Sequence, residues 1–162
     1  MKFFKSSLFA FVFLSAVCSC TVSKEASSIK QKINGNWMLQ TITTEGIQGK
    51  VTAIVFNEAS FNCFVGSSWN FIAGNSLGNY RINSSGTECN SITRKISWSI
   101  YEPKGAVKEF QFKKLNDKNK SDNNNEGYRL EIAELTNTTM QLKSHITFEG
   151  KPAAYIYNFI KK

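Results

Sequence analysis

The chain has 162 residues, with 20 lysines and arginines, 12 aspartates and glutamates and one histidine, and its formal net charge is +8. Aromatic residues make up 13% of it, which is ample material for the core of one domain. A single histidine all but excludes the usual zinc ligand sets. Lysines scattered along the sequence favour a solvated basic surface over a nucleic-acid site.

Residues 1–19 have the pattern of a secretory signal peptide. Lys2 and Lys5 precede an apolar run over residues 8–17, which is too short for a stable transmembrane helix of about 20 apolar residues. Removal of this leader takes away two positive charges and no negative one, so the remaining chain carries +6. Export from the cytoplasm also argues against a nucleic-acid partner.

The end of the leader, Val17-Cys18-Ser19-Cys20, resembles a bacterial lipobox. The resemblance implies cleavage before Cys20 and attachment of a diacylglycerol to its thiol. Cys18 is the competing site, although the bulky Val17 disfavours cleavage there, and an ordinary secreted protein cut elsewhere is the remaining alternative. We expect a lipoprotein held on the outer or inner membrane of the cell envelope, facing the periplasm or the cell surface. Fatty acyl chains such as palmitate would hold it there by about 0.8 kcal/mol per buried methylene.

The pattern of polar and apolar residues divides the rest into a tether and one domain. Residues 20–32 are polar and predict a lipidated tether with at most one helical turn. The domain, residues 33–162, opens with apolar and polar residues that alternate from Trp37 to Ile42, as in a strand. Residues 51–56 are rich in β-branched side chains and predict a second strand. A polar connection follows.

Alternation predicts the remaining strands at residues 69–72, 79–82, 96–101, 109–113, 128–133, 140–148 and 154–160. Residues 116–126 contain no apolar side chain and predict an exposed loop. Eight or nine strands joined by short turns are typical of an all-β antiparallel meander. Closure into an up-and-down barrel of about eight strands would hide the sheet edges. The alternative is a two-sheet sandwich, which usually needs longer crossovers.

Cys63 and Cys89 are the only cysteines that remain after the leader. In an oxidising compartment a lone pair of cysteines predicts a disulfide, which would stabilise the fold by roughly 3–4 kcal/mol. A redox or metal pair is the alternative, but the sequence has no Cys-x-x-Cys and only His145 as a further ligand.

The spacing of several motifs resembles that of the lipocalin-like lipoproteins of the Bacteroidota, from about residue 33 to the end. The motifs are Gly35-Asn36-Trp37, Cys63-Phe64-x-Gly66-Ser67-x-Trp69-x-Phe71, Gly78-x-Tyr80, Cys89, Ile96-x-Trp98 and Gly150-Lys151-Pro152. The resemblance implies an eight-stranded barrel that is closed at the Trp37 end and open at the other. Lipocalins often cover this tryptophan with an arginine of the last strand. Here only Lys161 and Lys162 lie near, so Trp37 must be covered in another way.

No residue pattern supports an enzyme, a cofactor or a metal site. His145 falls on the polar face of its strand and predicts a surface histidine, with no nucleophile-elbow motif to accompany it. Glu131 and Glu134 are ordinary residues of a solvated strand. The glycines stand singly in turns, which excludes a phosphate-binding loop, and residues 116–126 lack the spacing of a calcium loop.

Six aromatic residues are the candidate lining of a ligand cavity: Trp69, Phe71, Tyr80, Trp98, Phe110 and Phe112. The alternative is that they fill the barrel, since eight strands enclose either a packed core or one small ligand. The first hypothesis is therefore non-enzymatic binding of a small apolar or amphipathic molecule. The second is an envelope protein-interaction or structural module that works through its surface. A cavity of at least about 300 Å³ would favour the first, and a filled interior the second.

Overall fold

The computed structural model describes residues 23–49, 51–83, 89–122 and 125–162. The predicted leader, Cys18 and the predicted lipidation site Cys20 lie outside the described residues. The elements are α1 Lys24–Ile33, β1 Gly35–Glu45, β2 Ile54–Val55, β3 Ala59–Ser60, α2 Phe61–Phe64, β4 Ser68–Ile72, β5 Leu77–Ile82, β6 Ile92–Tyr101, β7 Glu109–Leu115, β8 Tyr128–Leu135, β9 Thr139–Phe148 and β10 Lys151–Lys161.

The eight long strands form a closed antiparallel barrel in the order β1-β10-β9-β8-β7-β6-β5-β4. Strands that follow each other in the sequence pair with each other, and β1 closes the barrel by pairing with both β10 and β4. The short strands β2 and β3 form a separate ribbon. The prediction of an all-β up-and-down barrel is confirmed, and the sandwich alternative is excluded.

Strand β7 illustrates how the sequence alternation builds the core. Phe110, Phe112 and Lys114 are buried, while the residues between them are only partly buried. A period of two places every second side chain inside the barrel. The inward position of Lys114 breaks the apolar pattern and requires buried acceptors for its charge.

Helix α1 covers the end of the barrel at which Trp37 lies. The side chain of Ser23 caps the helix by accepting a hydrogen bond from the Ala26 amide at 2.9 Å. Ala26 and Ile33 are buried, and Ile29 packs against the core. The predicted tether over residues 20–32 is therefore wrong for its helical part.

Trp37 is covered by α1 and by a lysine. Its indole Nε1 donates a hydrogen bond to the Ile33 carbonyl at 2.7 Å. The Lys161 ammonium lies 5.2 Å from the ring centroid and donates to the Lys32 carbonyl at 3.0 Å. A cation of the last strand thus takes the position over the indole ring, although it is a lysine and not an arginine.

The opposite end is closed by residues 51–66, which we call the lid. The expected open end is therefore wrong, and so is the predicted strand over residues 51–56, of which only Ile54–Val55 is strand. Phe56 and Asn57 have φ values of 55° and 46°, and this left-handed turn ends the strand and directs Phe56 into the barrel.

Within the described part of the chain, no helix has the length and apolar character needed to cross a bilayer.

Candidate functional site: the barrel mouth

The barrel interior is filled with aromatic side chains. All six predicted lining residues are at most 3% exposed, and their rings contact one another, as in the pair Trp69 and Tyr80 with centroids 4.6 Å apart. Trp69, Phe71, Phe110 and Phe112 line an interior void together with five other residues, and this void measures about 10 Å³, which is room for about one water molecule. The structure brings the six residues together, but it leaves no space for a ligand among them.

Phe56 of the lid packs against this interior where the interior meets the mouth of the barrel. Its ring lies 5.0–6.2 Å from five other aromatic rings, those of Phe64, Trp69, Phe112, Tyr128 and Tyr157. Sequence reasoning missed this role because it placed Phe56 at the end of a strand. The only local signal is Asn57, a residue type that tolerates positive φ.

Glu58 carries a second lid contact, a buried charge cluster. Its side chain is 5% exposed, and Arg94 donates to its two oxygens at 2.9 Å each. The Tyr80 hydroxyl donates to it at 2.9 Å, and the Lys114 ammonium lies 3.4 Å away. Lys114 also donates to the Phe56 and Asn57 carbonyls at 3.0 and 3.3 Å. These contacts explain how Lys114 can face the core.

The charges of this cluster set the protonation states in the mouth. Burial alone would raise the pKa of Glu58, but hydrogen bonds from Arg94 and Tyr80 and the positive charge of Lys114 outweigh it and lower that pKa. Burial, together with the Glu58 charge, raises the pKa of Tyr80. Burial and the nearby charges of Glu126 and Glu58 raise the pKa of Tyr128 to about 12. Both phenols are therefore neutral donors at physiological pH.

A disulfide joins the lid to the loop between β5 and β6. Cys63 and Cys89 are bonded, with their Cα atoms 5.4 Å apart, so the predicted disulfide is present. It encloses β4 and β5 and fixes one end of the lid, while the Glu58 cluster fixes its middle.

A slot opens in the barrel wall at the mouth. The pairing of β8 with β9 ends at Glu131 and Lys143, and beyond it Tyr128–Leu130 and Ser144–Phe148, all described, are not paired with each other. A pocket of about 280 Å³ lies there, which we call the mouth pocket. It is lined by Ile54, Val55, Phe56, Gly127, Tyr128, Arg129, Leu130, Ser144, Tyr155 and Tyr157. A larger depression, of about 540 Å³, lies on the polar outer face of β6, β7 and β8.

The predicted surface histidine lies outside the barrel. His145 is 64% exposed, and its Nε2 lies 2.7 Å from a Glu131 carboxylate oxygen, where β8 and β9 separate. Glu134 is exposed on the same strand as Glu131. Within the residues described, no three His, Cys, Asp or Glu side chains are grouped as metal ligands would be.

The comparisons with known proteins concern the family and the fold. The family model for lipocalin-like domains matches residues 33–142. Among solved structures, the chain is similar to a lipocalin-like protein from Bacteroides uniformis, with 15% identity, a TM-score of 0.45 and coverage of 81% of this chain and 99% of that one. It is also similar to bovine odorant binding protein in complex with a selenium-containing odorant, with 11% identity, a TM-score of 0.41 and coverage of 82% and 72%. No curated protein matches.

Proposed function

Because this chain belongs to the lipocalin-like domain family, we propose that it is a non-enzymatic binding protein for a small apolar or amphipathic molecule. The ligand site is the mouth pocket and not the barrel core. The observation that carries this proposal is the slot between β8 and β9. It provides a pocket of about 280 Å³, whereas the void in the barrel interior is only about 10 Å³.

The lining of the mouth pocket fits such a ligand. Tyr128, Tyr155 and Tyr157 supply aromatic surface, Ile54 covers it from the lid, and Ser144 adds a hydroxyl. Burial of apolar ligand surface here would contribute about 25 cal/mol per Å². The volume lies at the lower limit of ligand sites, about 300 Å³, so the ligand is small.

Lipid anchorage is part of the same proposal. Cys20 follows a leader with the charge and apolar pattern of export, and acylation of its thiol would hold the protein on a membrane of the cell envelope. The substitution Cys20→Ser should move the protein from the membrane fraction to the soluble fraction or leave its leader uncleaved. Unchanged processing and fractionation would exclude this anchor.

The filled interior favours a second candidate function. A barrel with a void of about 10 Å³ can serve as a rigid module that contacts other envelope proteins through its outer surface. The two functions differ in whether a small molecule copurifies with the protein.

Native mass spectrometry of the protein purified from its own membrane separates the two. A reproducible extra mass that is lost on denaturation would support the binder, and a bare protein mass would support the module.

A pocket-filling variant then locates the site. Ser144→Trp should weaken binding of an apolar dye about tenfold by occupying the slot, whereas Thr147→Trp, which adds the same ring to an exposed position of β9, should not. Equal dye binding by both variants would place the ligand elsewhere.

A further inference from the structure

The barrel end that α1 covers is strongly basic. Lysines from α1, from the loop between β6 and β7 and from the last strand meet there: Lys24, Lys30, Lys32, Lys104, Lys108, Lys161 and Lys162. The acidic residues at this end are Glu25 and Glu102, with Glu109 and Glu134 on the adjoining wall. The expectation that the lysines are merely scattered is therefore wrong for this end, because the fold gathers residues from three distant segments.

Four of these lysines are available for contacts outside the protein. Lys24, Lys32, Lys104 and Lys162 are exposed, and none of them forms an ion pair with a described residue. Lys108, in contrast, pairs with Glu25. The unpaired charges thus lie on the outer side of the end and leave it with a positive field.

Exposed apolar side chains lie at the same end of the barrel. Val107 is 56% exposed, Ile72 45%, Tyr101 37% and Leu77 36%. They make up four of the six large hydrophobic side chains that are clearly exposed in the part of the chain that the structure describes. A surface that combines lysines with exposed apolar groups has the composition of a membrane-interface contact.

The position of the proposed anchor points to the same end. Cys20 precedes Ser23 by three residues, and three residues span at most about 10 Å. Ser23 itself is fixed to this end, since its hydroxyl donates to Glu102 at 2.8 Å. An acyl chain on Cys20 would therefore hold this end, and not the lid end, against the bilayer.

We propose that the α1 end of the barrel docks on an anionic phospholipid bilayer. The lysines are attracted to the negative headgroups within a Debye length of about 8 Å at physiological salt, and the apolar side chains enter the interface. The mouth pocket then faces away from the membrane. The orientation argument rests on the proposed acylation, whereas the charged surface does not depend on it.

Lysine footprinting of the purified full-length protein tests the proposal. The protein is placed on vesicles of phosphatidylcholine with or without about 30 mol% phosphatidylglycerol, and lysine acetylation is followed by mass spectrometry. We expect Lys24, Lys32, Lys104 and Lys162 to react about threefold more slowly on the anionic vesicles, with the difference lost near 1 M salt. Lys118, Lys120 and Lys151, which lie at the lid end, should react equally on both.

Charge reversal supplies the matched control. The variant Lys24→Glu/Lys32→Glu/Lys104→Glu should lose the protection of Lys162, while Lys118→Glu/Lys120→Glu/Lys151→Glu should keep it.

Equal reactivity of both lysine sets on both vesicles would overturn the docking surface. The mass of the N-terminal peptide reports acylation in the same experiment. Where acylation is absent, the vesicles are added to the soluble protein. Protection of the same four lysines would then support docking, and unprotected lysines would overturn it. The mass of the N-terminal peptide thus tests the proposed acylation, and lysine protection separately tests the proposed docking surface.

Discussion

Phe56 and Glu58 are two residues apart in the lid, and both side chains contact the barrel, one as an apolar ring and the other as a charged carboxylate. Phe56 contributes an apolar ring to the aromatic core, and Glu58 contributes a charge to the Arg94 and Lys114 pair. Lifting the lid would expose the ring to water and break the buried ion pair between Glu58 and Lys114, each of which has a side chain that is 5% exposed, and breaking a buried ion pair is strongly destabilising. Burial of the Phe56 ring and the ion pairs of Glu58 therefore hold the lid in its closed position.

Substitution Phe56→Ala is expected to open the barrel to ligands. Phe56, Leu130 and Tyr157 line both the interior void and the mouth pocket, so removal of the Phe56 ring joins the two spaces. We expect a loss of about 3–5 kcal/mol in the free energy of unfolding in urea, together with tighter binding of an apolar dye. The control is Val65→Ala, an exposed lid residue. Dye binding equal to wild type in a folded variant would show that Phe56 is not the barrier.

Substitution Glu58→Gln is expected to change how stability depends on pH. The folded-state pKa of Glu58 lies below its ordinary value of 4.5. The stability that it contributes is therefore fully present above that value and is lost as pH falls through the lower folded-state pKa. At neutral pH we expect the variant to be less stable by about 2–3 kcal/mol, because the carboxylate charge that pairs with Arg94 and Lys114 is lost. The expected loss is smaller than for a fully buried pair, since Arg94 is 41% exposed and solvent screens part of its charge.

Urea unfolding at pH 7 and below pH 4.5 checks this prediction. Wild type should lose more stability on acidification than Glu58→Gln, whereas Glu45→Gln, which alters a surface ion pair with Lys143, should follow wild type. Parallel pH curves for wild type and Glu58→Gln would contradict the role assigned to the carboxylate.

The structural elements differ in how well the sequence predicts them. The barrel strands were predictable because one buried face imposes a period of two; β7, for example, was expected at residues 109–113 and spans Glu109–Leu115. Helix α1 was not predicted, since its stripe of Ala26, Ile29 and Ile33 is too narrow to stand out without the surface on which it packs.

The candidate site was predictable only in part. Alternation places the six core aromatics inside the barrel, but whether they leave a cavity depends on Phe56, which comes from a segment outside the barrel sheet. The partners of Glu58, which are Tyr80, Arg94 and Lys114, are 22, 36 and 56 residues away. The slot arises where pairing ends after Glu131 and Lys143. These features depend on tertiary contacts and register, which no local pattern records.

Removal of the disulfide is expected to destabilise the protein and to make the lid open more often. Cys63 and Cys89 are 26 residues apart, and on the chain-entropy model a bond that closes such a loop contributes about 3.5 kcal/mol. The double variant Cys63→Ser/Cys89→Ser should lose about this much stability. Amide exchange over residues 51–66 should become faster by a larger factor than exchange in β7 and β9, which reports the loss of global stability. An increase in the lid no larger than that in these strands would mean that the Glu58 cluster holds the lid without the disulfide.

The whole molecule has two ends closed by different chemistry. At one end a helix with a basic outer side covers Trp37, and at the other the lid is held by a disulfide, a buried carboxylate and an aromatic plug. The proposed membrane contact and the proposed ligand pocket thus lie at opposite ends of one barrel. On both proposals, this separation would allow a ligand to enter from the aqueous side while the protein is held on the bilayer.

If α1 is an integral part of the barrel, a mutation in its last turn must affect the unfolding of the whole molecule. Ile33 is fully buried, and its carbonyl accepts the Trp37 hydrogen bond, so Ile33→Ala should lower the free energy of unfolding by about 2–4 kcal/mol. Tryptophan fluorescence and far-ultraviolet circular dichroism should report one coincident transition at a lower urea concentration. Gln31→Ala, at an exposed position of the same helix, should leave the midpoint unchanged. A wild-type midpoint for Ile33→Ala, or a separate early loss of helical signal, would instead identify α1 as an appendage that contributes nothing to the stability of the barrel.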